Sequence, residues 1–176
     1  MGLTEDELVG TCVLLLNAGH EATVNTTGNG WWALFRNPDQ LARLRADRSL
    51  VPTAVEELLR YEPSSPMFER WVLEDTEIGG VEVPKGAELG LLFISANRDA
   101  TVFEEPDRMD VGRVENPHLS FGAGVHFCLG APLARIELQT SFGMLLERFP
   151  HMELVEEPRW KPNFVLRGLE ELRVRV

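Results

Sequence analysis

Cysteine is scarce in this chain: Cys12 and Cys128 are the two among 176 residues. They are too few and too far apart to suggest a disulfide framework, so each reads as a reduced thiol or a ligand. Positive charge is also short. Seventeen Lys and Arg face 28 Asp and Glu, giving a formal net charge of -11 and a sequence pI near 4.8. Phosphates are captured by clustered cations, so this balance argues against a nucleic-acid or anionic-membrane surface. No apolar run approaches the roughly 20 residues that span a bilayer. The first residues, Met1 to Glu7, are acidic where a secretion signal would be basic. The expectation is a soluble, cytoplasmic protein with no nucleic-acid and no membrane partner. What the chain does have is 44% hydrophobic residues, enough at this length to bury roughly two thirds of its unfolded surface.

Thr4 and Glu7 have the spacing of a capping box, which predicts a helix from about residue 5. Leu8, Cys12, Leu15, Gly19 and Ala22 recur at steps of three and four and form a stripe that narrows to small residues, leaving room for something flat or bulky. This helix should run to about Phe35. Asn37 and Pro38 suit the N-cap and first position of a second helix through Leu41 and Leu44. Pro52 opens a third through Val55, Leu58 and Leu59, ended by the prolines at 63 and 66. The period then changes: 67–73 and 78–83 read as short strands with a turn at Gly79-Gly80, and 87–94 as a buried strand. Residues 106–127 have no sustained period, an unusually long irregular segment of the kind that carries function. From Pro132 an amphipathic helix runs to Pro150, and short strands are expected at 152–155, 163–167 and 172–176. No repeat or linker interrupts the chain, so 1–176 reads as a single unit, mainly α with small β-sheets (α+β).

The run Ser120-Phe121-Gly122-Ala123-Gly124-Val125-His126-Phe127-Cys128-Leu129-Gly130 stands directly before the last long helix. Partly positive amides at that helix N-terminus would stabilise a Cys128 thiolate. The glycines let the backbone turn tightly and approach a bulky group. A buried inert cysteine is the bland alternative. A Cys128/His126 nucleophile pair is another, though no orienting acid is evident. Glu57 and Arg60 lie three apart on the third helix and can form a charge-assisted pair, although most such pairs are solvated. Gly28 to Ala33 matches a dinucleotide-binding pattern, but no apolar strand precedes it and the stretch continues a helix. Trp31, Trp32 and Trp71 read as core or partly buried aromatics.

Phe121, Gly124, Cys128 and Gly130 fit the cytochrome P-450 haem-binding signature Phe-x-x-Gly-x-x-x-Cys-x-Gly at every defined position. The chain thus resembles the C-terminal part of a soluble bacterial member of that family, from the oxygen-binding helix onward. The resemblance implies haem b (iron protoporphyrin IX), with Cys128 as the metal ligand and His126 and Arg70 on the propionates. Glu57, Arg60 and Arg108 would form a structural triad. Ala18-Gly19-His20-Glu21-Ala22-Thr23 is similar to the oxygen-binding segment, so Ala18 and Gly19 would border dioxygen, and Glu21, Ala22 and Thr23 would be the proton-delivery positions. Ala22 stands where the family usually has an alcohol, and Thr23 lies one residue on, rotated about 100° around the helix. By position, substrate contacts would come from Leu15, Ser65, Phe68, Phe164 and Val165.

The implied activity is a haem-thiolate monooxygenase that inserts one atom of dioxygen into a C–H bond of a small organic substrate. Electrons would come from a ferredoxin or flavodoxin docking near Arg135. Two other readings stay open: a truncated, non-catalytic haem-binding remnant, and a peroxygenase or decarboxylase. Because the match covers only the C-terminal portion of the family's usual length, a missing N-terminal segment is expected, with the first helix left half exposed.

Overall fold

The computed structural model describes residues 2–176. Helix α1 (Glu5–Arg36) begins where the capping box sets it: the Thr4 amide donates to the Glu7 carboxylate at 2.8 Å and the Glu7 amide to Thr4 Oγ1 at 3.3 Å. At its other end the Asn37 side chain donates back to the Ala33 carbonyl at 2.8 Å. Contrary to expectation, it makes no side-chain cap on α2 (Pro38–Ala46); Pro38, with its preset φ, opens that helix. A short turn, Arg48–Leu50, is capped by Asp47 and leads into α3 (Val51–Tyr61).

The core forms where α1 and α3 meet α5 (Ala131–Arg148). Gly30 makes the crossing possible, since a Cβ there would lie 2.8 Å from the Phe142 ring and 3.1 Å from Leu58. Trp31 stacks on Phe142 with centroids 5.2 Å apart. Leu34, Leu44, Val55, Leu58 and Leu138 are all buried around this contact, each contributing roughly 1.5–3 kcal/mol over an exposed position. Only the C-terminal half of α1 is buried in this way. Leu8, Leu15 and Leu16 in its first half are 53%, 56% and 73% exposed.

Three small antiparallel pairs complete the fold. β1 (Met67–Trp71) pairs with β4 (Glu88–Leu92), Met67 opposite Leu92. β2 (Thr76–Ile78) and β3 (Val81–Val83) form a hairpin whose turn uses Gly79 and Gly80 at φ 60° and 82°. β5 (Glu153–Leu154) pairs with β6 (Val174–Arg175). Several expectations are corrected. The expected buried strand at 87–94 is largely exposed, and it ends at Leu92, where the chain turns into the short helix α4 (Phe93–Ala96). Residues 163–167 form no strand, because the Asn163 side chain accepts from the Val165 and Leu166 amides and so takes the donors a ladder would use. Trp71, expected to be at least partly buried, is 64% exposed: among the described residues its strand is hydrogen-bonded to β4 alone. No helix among the described residues is long and apolar enough to cross a membrane.

Candidate functional site

The loop before α5 is shaped by two left-handed residues, Gly122 at φ 71° and Gly124 at φ 68°, conformations an L side chain adopts only under strain. They turn the chain so that the Cys128 amide donates to the Phe121 carbonyl at 2.9 Å. Cys128, half-buried and free, sits just ahead of the first turn of α5, with Pro132 in that turn.

A largely apolar cavity of about 770 Å³ opens between this loop and α1, within the usual range for a cofactor or ligand pocket. Ala18, Gly19 and Ala22 form part of one wall and Phe121, His126 and Cys128 part of the other. Nothing lies within 4 Å of where a Gly19 Cβ would be. Arg70 also borders the cavity, so Arg70 and His126 both bring nitrogen-bearing side chains to its lining. A flat macrocycle with two propionates fits this donor set: one sulfur, an apolar slot, and polar groups on its lining. Among the described residues no group of three or more His, Cys, Asp or Glu could hold a metal by itself.

Ser65, Phe68 and Gly130 line the cavity, and so do Glu21 and Thr23. Thr23 reaches it despite its rotation from Ala22. Glu21 also faces Lys161, at 3.6 Å, whose ammonium donates to Asn25 at 3.2 Å. Leu15, Phe164 and Val165 do not line the cavity; they are 56%, 53% and 50% exposed, and Leu14 and Leu166 take their places. Leu14 was legible in principle, since it lies four residues before Ala18 on the same helix face. Leu166 depends on the Asn163 turn, which no periodicity announces. Gly124 shapes the loop without bordering the cavity.

Behind the loop, Glu57 and Arg60 are fully buried and paired at 2.8 Å through both carboxylate oxygens. The expected third member, Arg108, is corrected. Its side chain pairs in solvent with Glu105 at 2.7 Å, and only its carbonyl accepts from Arg60. Arg113 approaches Glu57 instead, at 3.2 Å, together with the Asp110 amide and the Asn116 side chain. Both arginines lie in the irregular segment, where no period says which one turns inward. Asn97, also buried, joins Arg60 to the loop ahead of α5 by accepting from the Leu119 amide and donating to Ser120.

A second charged group went unrecognised in the sequence. Glu56 of α3 receives both Nε and Nη2 of Arg135 at 2.7 and 2.8 Å and faces His118 Nε2 at 3.1 Å. Burial pushes the Glu56 carboxyl up, but hydrogen bonds from His118 and Arg135 and their charges prevail and hold it at about 2. Helical spacing alone could not find this group, because its members come from three separate segments.

The family model for cytochrome P-450 matches residues 1–169. The biotin-biosynthesis cytochrome P-450 of Bacillus subtilis (strain 168) is 48% identical over 173 residues, covering 98% of this chain and 44% of the relative. The cytochrome P-450 monooxygenase PikC of Streptomyces venezuelae is 45% identical over 177 residues, covering 98% and 42%. The solved structure of the cytochrome P-450 PksS of the Bacillus subtilis 168 bacillaene polyketide synthase superposes with a TM-score of 0.94 at 43% identity, covering 98% of this chain and 45% of that one. The chain therefore spans less than half the length of the relatives it matches.

Proposed function

Since the chain belongs to the cytochrome P-450 family, with haem as its implied cofactor, we propose that residues 1–176 act as one partial domain, the haem-binding portion of a monooxygenase. The enzyme would insert one atom of dioxygen into a C–H bond of a small organic substrate. The observation that carries this reading is Cys128, presented at the head of α5 across a cavity from the small residues of α1. When bound, haem supplies the dioxygen-activating iron, and a thiolate ligand favours O–O cleavage.

In this reading Cys128 supplies the sulfur, held by the Phe121 carbonyl and the glycine turns. Arg70 and His126 bind the propionates, the guanidinium suiting a carboxylate in shape as well as charge. Ala18 and Gly19 leave space for dioxygen. Glu21 hands protons inward, and with a methyl at Ala22 the relay is completed by an ordered water or a substrate hydroxyl; the neighbouring Thr23 borders the same space. Ser65, Phe68, Leu14 and Leu166 border the substrate region. A hydroxylated substrate such as a polyketide is consistent with Ala22 and with the names of some relatives. Electrons come from a ferredoxin or flavodoxin that docks on the face beneath Cys128. Cytoplasmic placement accords with two cysteines that are both free.

The test is reconstitution with haem and the spectrum of the reduced carbon monoxide adduct. A red-shifted thiolate-type band, lost in Cys128→Ser, is expected; no haem uptake, or an imidazole-like band, would overturn the assignment for this chain. Ala22→Thr should change the ratio of product to peroxide in the complete enzyme, and an unchanged ratio refutes the substitute-alcohol role. Peroxide-driven turnover without any redox partner would point to a peroxygenase instead.

A further inference from the structure

Two buried hydroxyl groups border the largely apolar cavity. Thr26 lies one turn after Ala22 on the same face of α1, and Ser64 follows the end of α3. Both line the cavity, and they are only 3% and 7% exposed. Their oxygens are 2.9 Å apart, and Thr26 Oγ1 also stands 2.8 Å from the Ala22 carbonyl. The segment that carries Ser64 is held in place. Pro63 and Pro66 have fixed φ on either side of it, and the Arg167 amide donates to the Ser64 carbonyl at 2.8 Å. Leu59, Phe68, Phe93 and Leu166 are on the same lining, so an oriented hydroxyl here is one of few polar groups a ligand would meet.

The protons of the pair fix its direction. Each hydroxyl has one proton and two lone pairs, so Thr26 cannot donate to Ala22 and to Ser64 at once. Both short contacts are hydrogen bonds only when Ser64 donates to Thr26 and Thr26 donates to the Ala22 carbonyl. The reverse direction, from Thr26 to Ser64, gives up the bond to Ala22. The favoured arrangement therefore commits the Ser64 proton to Thr26 and leaves the lone pairs of Ser64 Oγ free. Among the described residues Thr26 is the one hydrogen-bond partner of that oxygen.

We propose that Ser64 is the polar anchor of the cavity, an acceptor that selects a hydroxyl or N–H group on an otherwise apolar ligand, and that Thr26 is the positioning residue that makes it an acceptor. This names the substrate class more closely and rests on the cavity being the substrate site of a monooxygenase. An alcohol is bound with the chain intact. A ketone is bound only by reversing the chain, which trades the Thr26–Ala22 bond for the new one and gains nothing.

Cyclooctanol, cyclooctanone and cyclooctane separate these cases, with dissociation constants measured by equilibrium dialysis on the haem-loaded protein. Each probe is compared with itself across variants, so differences in its hydration cancel. Ser64→Ala should weaken cyclooctanol by about fivefold, the value of one neutral hydrogen bond, and leave the ketone and the hydrocarbon unchanged. Thr26→Val frees the Ser64 proton, so it should tighten cyclooctanone by about fivefold while cyclooctanol and cyclooctane stay as in the parent. Thr26→Ser, which keeps the hydroxyl, should behave as the parent. A packing role would not produce this change of selectivity. If all three probes shift together in a variant, or if Thr26→Val leaves the ketone unchanged, the anchor is wrong and the monooxygenase reading stands. If the parent takes up no haem, the monooxygenase reading fails. The same dialysis on the haem-free protein then decides the anchor by the same pattern: the selective changes support it, and uniform or absent changes overturn it.

Discussion

Replacing Glu57 with Ala removes the acceptor at the centre of the buried network and leaves Arg60, fully buried, with its charge uncompensated. Arg60 keeps backbone acceptors at Asn97, Pro106 and Arg108, but carbonyls do not neutralise a guanidinium. Breaking a buried pair by removing one partner costs about 3–5 kcal/mol, a large share of the roughly 5–15 kcal/mol that holds a domain together. For a chain of this size that is a fall in Tm of about 6–20 °C. The loss reaches beyond Arg60, since the Asp110 amide, Arg113 and Asn116 lose the same acceptor. Arg113→Ala removes one charged donor and should cost about 1.5–3 kcal/mol. Arg108→Ala removes only an exposed pair with Glu105 and should be indistinguishable from the parent. Urea and thermal unfolding, followed by circular dichroism, rank the three variants. Equal destabilisation by Arg108→Ala and Arg113→Ala would refute the assignment of Arg113 as the third member.

Gly30→Ala should destabilise by about 1–3 kcal/mol through overpacking, because the new methyl would meet Phe142 at 2.8 Å; a thermal melt within error of the parent would show that the crossing yields. Glu56 also predicts an acid response. Its folded-state pKa is depressed to about 2, so the stability it contributes is present above its ordinary value near 4.5 and lost as pH falls toward 2. The stability gap between the parent and Glu56→Gln should therefore shrink over that window in acid urea titrations, and a gap that widens would contradict the sign.

By itself the sequence determined what local rules control. Thr4 and Glu7 set the start of α1, and Pro63 and Pro66 follow the end of α3. The spacing of Phe121, Gly124, Cys128 and Gly130 pointed to the loop ahead of α5 as the candidate site, because a glycine-rich turn and a cysteine at a helix head are read along the chain. Other features were decided only when distant segments met. Whether 87–94 would be buried depended on what covered it, and whether 163–167 would pair depended on one Asn side chain taking the amides. The choice of Arg113 over Arg108, and of Leu14 and Leu166 over their neighbours, followed from which way an irregular segment or a helix face turned in three dimensions. The Glu56–His118–Arg135 assembly belongs wholly to the tertiary structure. Its residues are 62 and 79 positions apart from Glu56, and charge recognises proximity in space, which spacing along a chain does not encode.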